Sequence, residues 1–597
     1  MADAPDIWHA ASRKEVMDML GVLWRTLDPG DRDRLAEVLI GGPPDRLFKD
    51  LDEPERQSSR DRRIFDRLIV LERVGEPPLT PTLQAAMDDI RARYPHWRAQ
   101  EGERAFFSTW FESRWGPDTN FSVDDLAALA KPDLVDRLRS DMDHRGGLLD
   151  SWRQLAHAQP EAALDVLKSF AASADSGPAD VWEAGLRGLR DAEHVASIAD
   201  ELLSLLADVP ASLFARPEFV RGAADLLEAQ SRNLEMHQKP QVFWRLFDRA
   251  LAAAGAEPPA EHAPDDGPGA LDWVTDAINC SMGILATAFI NAIYALRPRQ
   301  GATLGDLSAR ADTLMSPGKV EHRPARVIGA SRISYLFAVD PKWSTRKLLP
   351  SFAWKDEEEA MAMWQGYAWQ MRIDPQLWAA LKPHFLPLFE GERLNRLGDA
   401  ARNVAQALML VGIAFGADEF KRDDIRRAIK AMPERVREEA ASWIADYMAA
   451  GDADNANQDE DPIDGTPDLR WEERIWPWIR KIWPTEPGFQ TADVAQHFAM
   501  AAIATDKAYP KAVEAIKPYA VPGRSYRLIQ SLAASIHPEV HPASTLELVD
   551  AFLAPDQMLL LDEAFADIIQ RVGASAPHLR DDNRYRRWTD FLARADR

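Results

Sequence analysis

Residues 340–385 read DPKWSTRKLLPSFAWKDEEEAMAMWQGYAWQMRIDPQLWAALKPHF, and this stretch decides the fold. It holds one motif twice. Asp340-Pro341-Lys342-Trp343 is followed by Leu348, Leu349, Pro350 and Phe352. Asp374-Pro375-Gln376-Leu377-Trp378, which starts 34 residues later, is followed by Leu381, Pro383 and Phe385. In each copy Asp is placed to cap a helix, Pro takes the first helical position where no N–H is needed, and Trp anchors the helix inward. Between the copies, Met361, Trp364, Ala368 and Met371 make one apolar helix face. Two helices per about 35 to 45 residues is the period of HEAT- or TPR-like helical hairpins stacked into a solenoid.

Working outward, apolar residues recur at three- and four-residue spacing in LVDRLRSDM, ALDVLKSFAAS, SIADELLSLLADV, AADLLEAQSRNL and NVAQALMLVGIAFG. Asp356 with Glu359, and Ser544 with Glu547, have capping-box spacing. Gly416 stands where a helix-ending glycine belongs. The best strand candidate, residues 325–339, fits a helix equally well through Ile328, Ile333, Leu336 and Phe337. The fold class expected is all-α, a HEAT/TPR-like α-solenoid of stacked helical hairpins.

Composition divides the chain into an N-terminal helical region (1–120), helical repeats (121–253) and a Pro/Gly-rich linker (254–270). Then come repeats with DP-x-W hairpins (271–450), an acidic linker (451–467) and a C-terminal helical region (468–597). Asp and Glu outnumber Lys and Arg by 95 to 71, for a formal charge of −24. That field repels nucleic acid and anionic membrane surfaces. The one cysteine, Cys280, rules out an internal disulfide and a cysteine-based zinc site, and suits a cytoplasmic protein. The first residues show no signal-peptide pattern. Residues 277–296 carry no charge, but Asn279, Ser281, Thr287 and Asn291 make them a buried central helix rather than a membrane span.

No catalytic motif rises above chance. The acids at 452–464 miss every EF-hand register, so no metal is expected there. His537 and His541 are separated by Pro538 and followed by Pro542, which makes their segment a turn and not a helical zinc motif. A phosphate-binding loop, a nucleophile elbow and a dinucleotide fingerprint are all missing, so no cofactor is expected. Arg139 and His144 match the R-x-x-x-x-H spacing of HEPN ribonucleases, which are also all-helical. That resemblance defines the alternative function, RNA cleavage by these two residues. A third alternative is nucleic-acid binding by the C-terminal RDDNRYRRWTDFLARADR, where Arg584 and Arg587 flank Tyr585 and Trp588. Aspartates 581, 582, 590 and 596 offset that charge, so ion-paired solvated helix is the plainer expectation.

RWEERIWPWIRKIWPTEP, 470–487, carries four tryptophans. Thr466-Pro467-Asp468 starts its helix, and Trp471, Ile475, Trp478 and Ile482 share one face, expected in the core. Trp476, Ile479 and Trp483 make a second face, and Pro477 should kink the helix between the two. Trp476 and Trp483, with Arg584, Arg587 and Trp588, are the candidate partner-binding residues.

The DPKWSTRKLLPSFAW…EEEAMAMWQGYAW block resembles the helical region that follows sirtuin-type NADase domains, and related effectors, in large bacterial anti-phage proteins. Asp340, Pro341, Trp343, Leu349, Pro350, Phe352, Ala360, Trp364 and Gly366 carry the resemblance, supported by INCSMGIL and LDPGDRDRLAEVLIGGPP. The glycine-rich nucleotide site of such an NADase is missing. The resemblance therefore implies a non-enzymatic scaffold or sensor along whose concave face a protein partner binds, either an effector enzyme on another chain or a phage protein.

Overall fold

The structure is a computed structural model that describes residues 13–43, 53–74, 77–94, 97, 121–140, 145–192, 195–232, 234, 239–256, 272–296, 305–413, 419–450, 466–554 and 563–595. Gly416 and all but the edge residues of the linkers 254–270 and 451–467 lie outside these. The chain divides into two units, residues 1–120 with 143–147, and residues 121–142 with 148–597.

In the first unit, helices Arg13–Thr26, Pro29–Gly41, Glu53–Val74 and Pro81–Arg93 enclose a core of Leu20, Trp24, Leu39, Phe65, Leu68 and Met87. Asp28 and Thr80 cap two of these helices by accepting from the Asp31 and Leu83 backbone N–H groups.

The second unit is an α-solenoid. One layer is a ladder of ten helices, each packed on the next: Ala179–Arg190, Pro217–Ser231, Ser281–Ala295, Arg323–Ser331, Glu357–Trp369, Ala401–Ile413, Glu434–Ala449, Ala492–Ile503, Tyr526–Ala534 and Glu563–Ser575. A second layer of helices and short 3₁₀ turns runs beside these rungs, and the core is one continuous cluster between the layers. This is the arrangement of a repeat protein, in which each unit buries its apolar face only against its neighbours. Among the described residues there is no strand, only an isolated bridge between Gly523 and Leu553.

The repeated motif builds its hairpins as its chemistry dictates. Asp340 accepts from the Trp343 N–H at 2.9 Å, and Asp374 accepts from the Gln376 and Leu377 N–H groups at 3.0 Å. Trp343 and Trp378 are both buried. Asp356 caps the Glu357–Trp369 rung through the Glu359 N–H. That rung is buried on every side from Glu359 to Ala368, not on one face as its spacing suggests, because rungs press on it from both directions. Gly366 permits the contact, since a Cβ there would lie 2.5 Å from the Val327 carbonyl oxygen.

Two local expectations change, and one open reading resolves as helix. The apolar stretch 277–296 is not one helix: Trp273–Asn279 and Ser281–Ala295 meet at Cys280 with a bend of 78°. Gly283 allows that elbow, because a Cβ there would stand 1.8 Å from the Ala277 carbonyl oxygen. No single described helix is long and apolar enough to cross a membrane. Residues 325–339, the strand candidate, form parts of two short helices, Arg323–Ser331 and Ile333–Val339. Ser544 does not cap a helix. The helix begins at Pro542, two residues earlier, and Glu547 is drawn instead to Lys517 at 2.5 Å.

Candidate functional site

The tryptophan helix starts as its sequence predicts, with Thr466 capping through the Leu469 N–H. It then widens into a π-helical segment, Arg470–Ile475, before returning to α geometry over Trp476–Ile482. Pro477 thus follows a widened turn of i→i+5 bonding instead of regular α-helix. Trp471 and Trp478 are buried. Trp483 is buried as well, 5.0 Å from Phe498 in an edge-to-face contact, which corrects its assignment to a partner surface. The reason is local: the helix ends at Ile482, and Trp483 turns into the core from extended backbone at φ −65°, ψ 133°. Trp476 alone is half-buried, stacked at 11° on Trp471.

This helix joins its neighbours through polar groups too. Arg470, almost fully buried, donates to the Tyr447 and Ala450 carbonyls at 3.2 and 2.6 Å, at the C-terminal end of the Glu434–Ala449 rung. The Asp468 carboxylate accepts from the N–H groups of Asp506, Lys507 and Ala508. The cluster is a clamp between rungs.

Three of the C-terminal arginines are ion-paired. Arg584 pairs with Asp582 at 2.7 Å, Arg586 with Asp581 at 2.7 Å, and Arg587 with Asp550. Arg584 holds the Asp582 carboxyl down to about 2. Trp588 is fully buried against Phe565 and Phe591, so it offers no stacking platform, and its place among partner-binding residues is corrected.

Arg139 lies in the last turn of the Lys131–Ser140 helix, 3.4 Å from Asp175 and over the Phe170 ring. His144 lies outside the described residues. His537 is buried, stacked 3.8 Å from Tyr509, with its Nε2 2.9 Å from the Ile503 carbonyl oxygen. Its segment is a single helical turn, His537–Val540. Among the described residues, no group of three His, Cys, Asp or Glu side chains is placed to hold a metal.

Sequence reasoning did not single out the outward side of the Glu434–Ala449 and Ala492–Ile503 rungs. Glu439, Trp443 and Asp446 recur there at spacings of four and three, with Tyr447 beside them. Asp493, His497 and Met500 repeat the pattern on the next rung. Trp443 and Tyr447 are half-buried and stacked at 5.1 Å and 16°. Burial holds the His497 imidazole below its ordinary range; Arg527 adds to this, while Asp446, Asp493 and Glu439 act against it. Burial, then the charge of Asp493, pushes the Glu438 carboxyl up. The 4,3 spacing was visible in each helix, but nothing in the sequence pairs these two helices.

The architecture is that of an α-helical repeat protein. The chain is 24% identical over 472 residues to the uncharacterised protein y4cA of Sinorhizobium fredii (strain NBRC 101917 / NGR234), covering 77% of this chain and 37% of that one. It thus spans little more than a third of that relative's length. No protein-family profile matches. Among solved structures, one described as "Structure of APUM23-deletion-of-insert-region-GGAAUUGACGG" is 11% identical, covering 80% of this chain and 86% of that one at a TM-score of 0.30. A circular tandem repeat protein with novel repeat topology is 9% identical, covering 98% and 89% at a TM-score of 0.12.

Proposed function

We propose that this chain is a non-enzymatic, cytoplasmic helical-repeat scaffold that binds a protein partner and serves as sensor or scaffold in a bacterial anti-phage system. The observation that supports binding is the rung face itself. The Glu434–Ala449 rung buries Ala440, Ala441, Ile444 and Met448 and leaves Glu439, Trp443, Asp446 and Tyr447 on its other side. Solenoids present extended surfaces of this kind to partners. The defence role is supported by the resemblance carried on Asp340, Trp343, Phe352, Trp364 and Gly366.

The test is photo-crosslinking in the native host, with a photoreactive residue replacing Ser442 on that face. One discrete adduct with a second protein is expected, with its yield changed by phage infection. No adduct in either infected or uninfected cells overturns the scaffold reading. An adduct insensitive to infection removes the defence role and keeps the scaffold.

A further inference from the structure

At three places along the second unit a carboxylate is tied to arginines of a neighbouring element. Asp225 lies within 3.5 to 3.8 Å of Arg187, Arg190 and Arg221. Glu359 holds Arg326 at 2.5 Å and Arg323 at 3.1 Å, and Glu539 holds Arg571 at 2.5 Å. The contact between Glu434–Ala449 and Ala492–Ile503 is built differently. Glu438, Glu439, Asp446 and Asp493 bear on one another or on His497 from the two rungs, and none shows an ion pair among the described residues.

His497 does not supply the missing charge, because its burial favours the neutral ring. Its Nδ1 is buried and has no hydrogen-bond partner. Arg527 approaches from the following rung, and buried Arg437 acts on Glu438 from behind. Like charges held together on a surface cost stability, and the cost is recovered when a complementary charge arrives. Trp443 and Tyr447 add a stacked aromatic pair on the same side, which suits a guanidinium or ammonium placed over a ring.

We propose that this face docks a lysine- or arginine-bearing segment of the partner protein, its cations held between the Trp443–Tyr447 stack and the Glu439, Asp446 and Asp493 carboxylates. This rests on the scaffold reading and names the chemistry of the partner. Nucleic acid is the wrong sign for the face.

The test uses the full chain and a fluorescein-labelled oligoarginine peptide, read by anisotropy. The triple variant Glu439→Gln/Asp446→Asn/Asp493→Asn should weaken binding about tenfold or more, because it removes the complementary charges at the docking face. A control triple, Glu472→Gln/Glu473→Gln/Glu514→Gln, removes the same charge elsewhere and should change binding less than about twofold. Trp443→Leu, with all charges kept, should also weaken it. All substituted carboxylates are on the surface, and matched melting curves confirm that the variants fold. Equal loss in both triples, or tighter binding of a single-stranded oligonucleotide than of the peptide, overturns the docking face. If the Ser442 adduct still forms in that case, the scaffold reading survives alone; if it also fails, both fall.

Discussion

Glu359 accepts from Arg326 at 2.5 and 2.9 Å and from Arg323 at 3.1 Å, at a position where Arg326 is almost wholly buried. Arg326 also donates to the Ser316 and Lys319 carbonyls, so this one guanidinium ties the turn before the Arg323–Ser331 rung to the next rung. Removing the carboxylate leaves a buried cation without its counter-charge. Glu359→Gln should therefore cost about 3 to 5 kcal/mol, whereas replacing both partners by apolar residues should cost much less. Urea denaturation of the single and double variants checks this; equal losses would show that the pair itself contributes the stability.

His537 makes a second prediction at this scale. Burial holds its imidazole below the ordinary 6.5, His541 adds to this, and Asp506 and the Ile503 carbonyl oppose it. The unfolded chain therefore binds a proton more readily than the folded one, so stability falls as pH drops through about 6.5. His322 and His497 shift the same way, again chiefly by burial. The melting temperature should decline from pH 7.5 to 5, and His537→Gln should flatten part of that decline. An unchanged slope in the variant would remove His537 as a contributor.

At the scale of the element, the tryptophan helix separates what a helical wheel can say from what it cannot. Trp471 and Trp478 were legible as core residues because they lie on the face that starts the helix. Trp476 and Trp483 looked alike on the wheel and are not alike in the fold. The π-helical segment Arg470–Ile475 widens the turn before Trp476, and the helix stops at Ile482, leaving Trp483 free to turn inward. Neither a π turn nor a helix end set by packing follows from local sequence. Trp483→Ala should thus cost about 3 to 5 kcal/mol, while Trp476→Ala should cost about 1 kcal/mol. Chemical denaturation of the two variants decides it, and similar losses would mean that the two indoles occupy similar environments. Arg470→Met belongs to the same test: it removes the donor from the Tyr447 and Ala450 carbonyls and should raise amide exchange at the C-terminal turn of Glu434–Ala449, before other rungs respond.

For the whole molecule, the DP-x-W motif made the hairpin legible where Asp340, Asp374, Trp343 and Trp378 all do what the sequence suggests. The length of the ladder was not legible. Elsewhere the rungs keep an apolar periodicity without this motif. The order of packing does fix how the molecule should fail. Each rung touches its neighbouring rungs and the second-layer helices beside it, so its contacts are local along the ladder and a lesion should spread only as far as coupling between adjacent repeats carries it. Gly366 offers a lesion at one contact: its Cβ would meet the Val327 carbonyl at 2.5 Å, and a valine adds more bulk at the joint between Arg323–Ser331 and Glu357–Trp369. In Gly366→Val, amides of those two rungs and of the flanking Ser281–Ala295 and Ala401–Ile413 should lose hydrogen-exchange protection. Tyr526–Ala534 and Glu563–Ser575, several contacts away, should keep theirs, and unfolding in urea should split into two steps. Uniform loss of protection from end to end would instead mean that the second unit behaves as one cooperative body and that its rungs are not independent enough to be read as repeats.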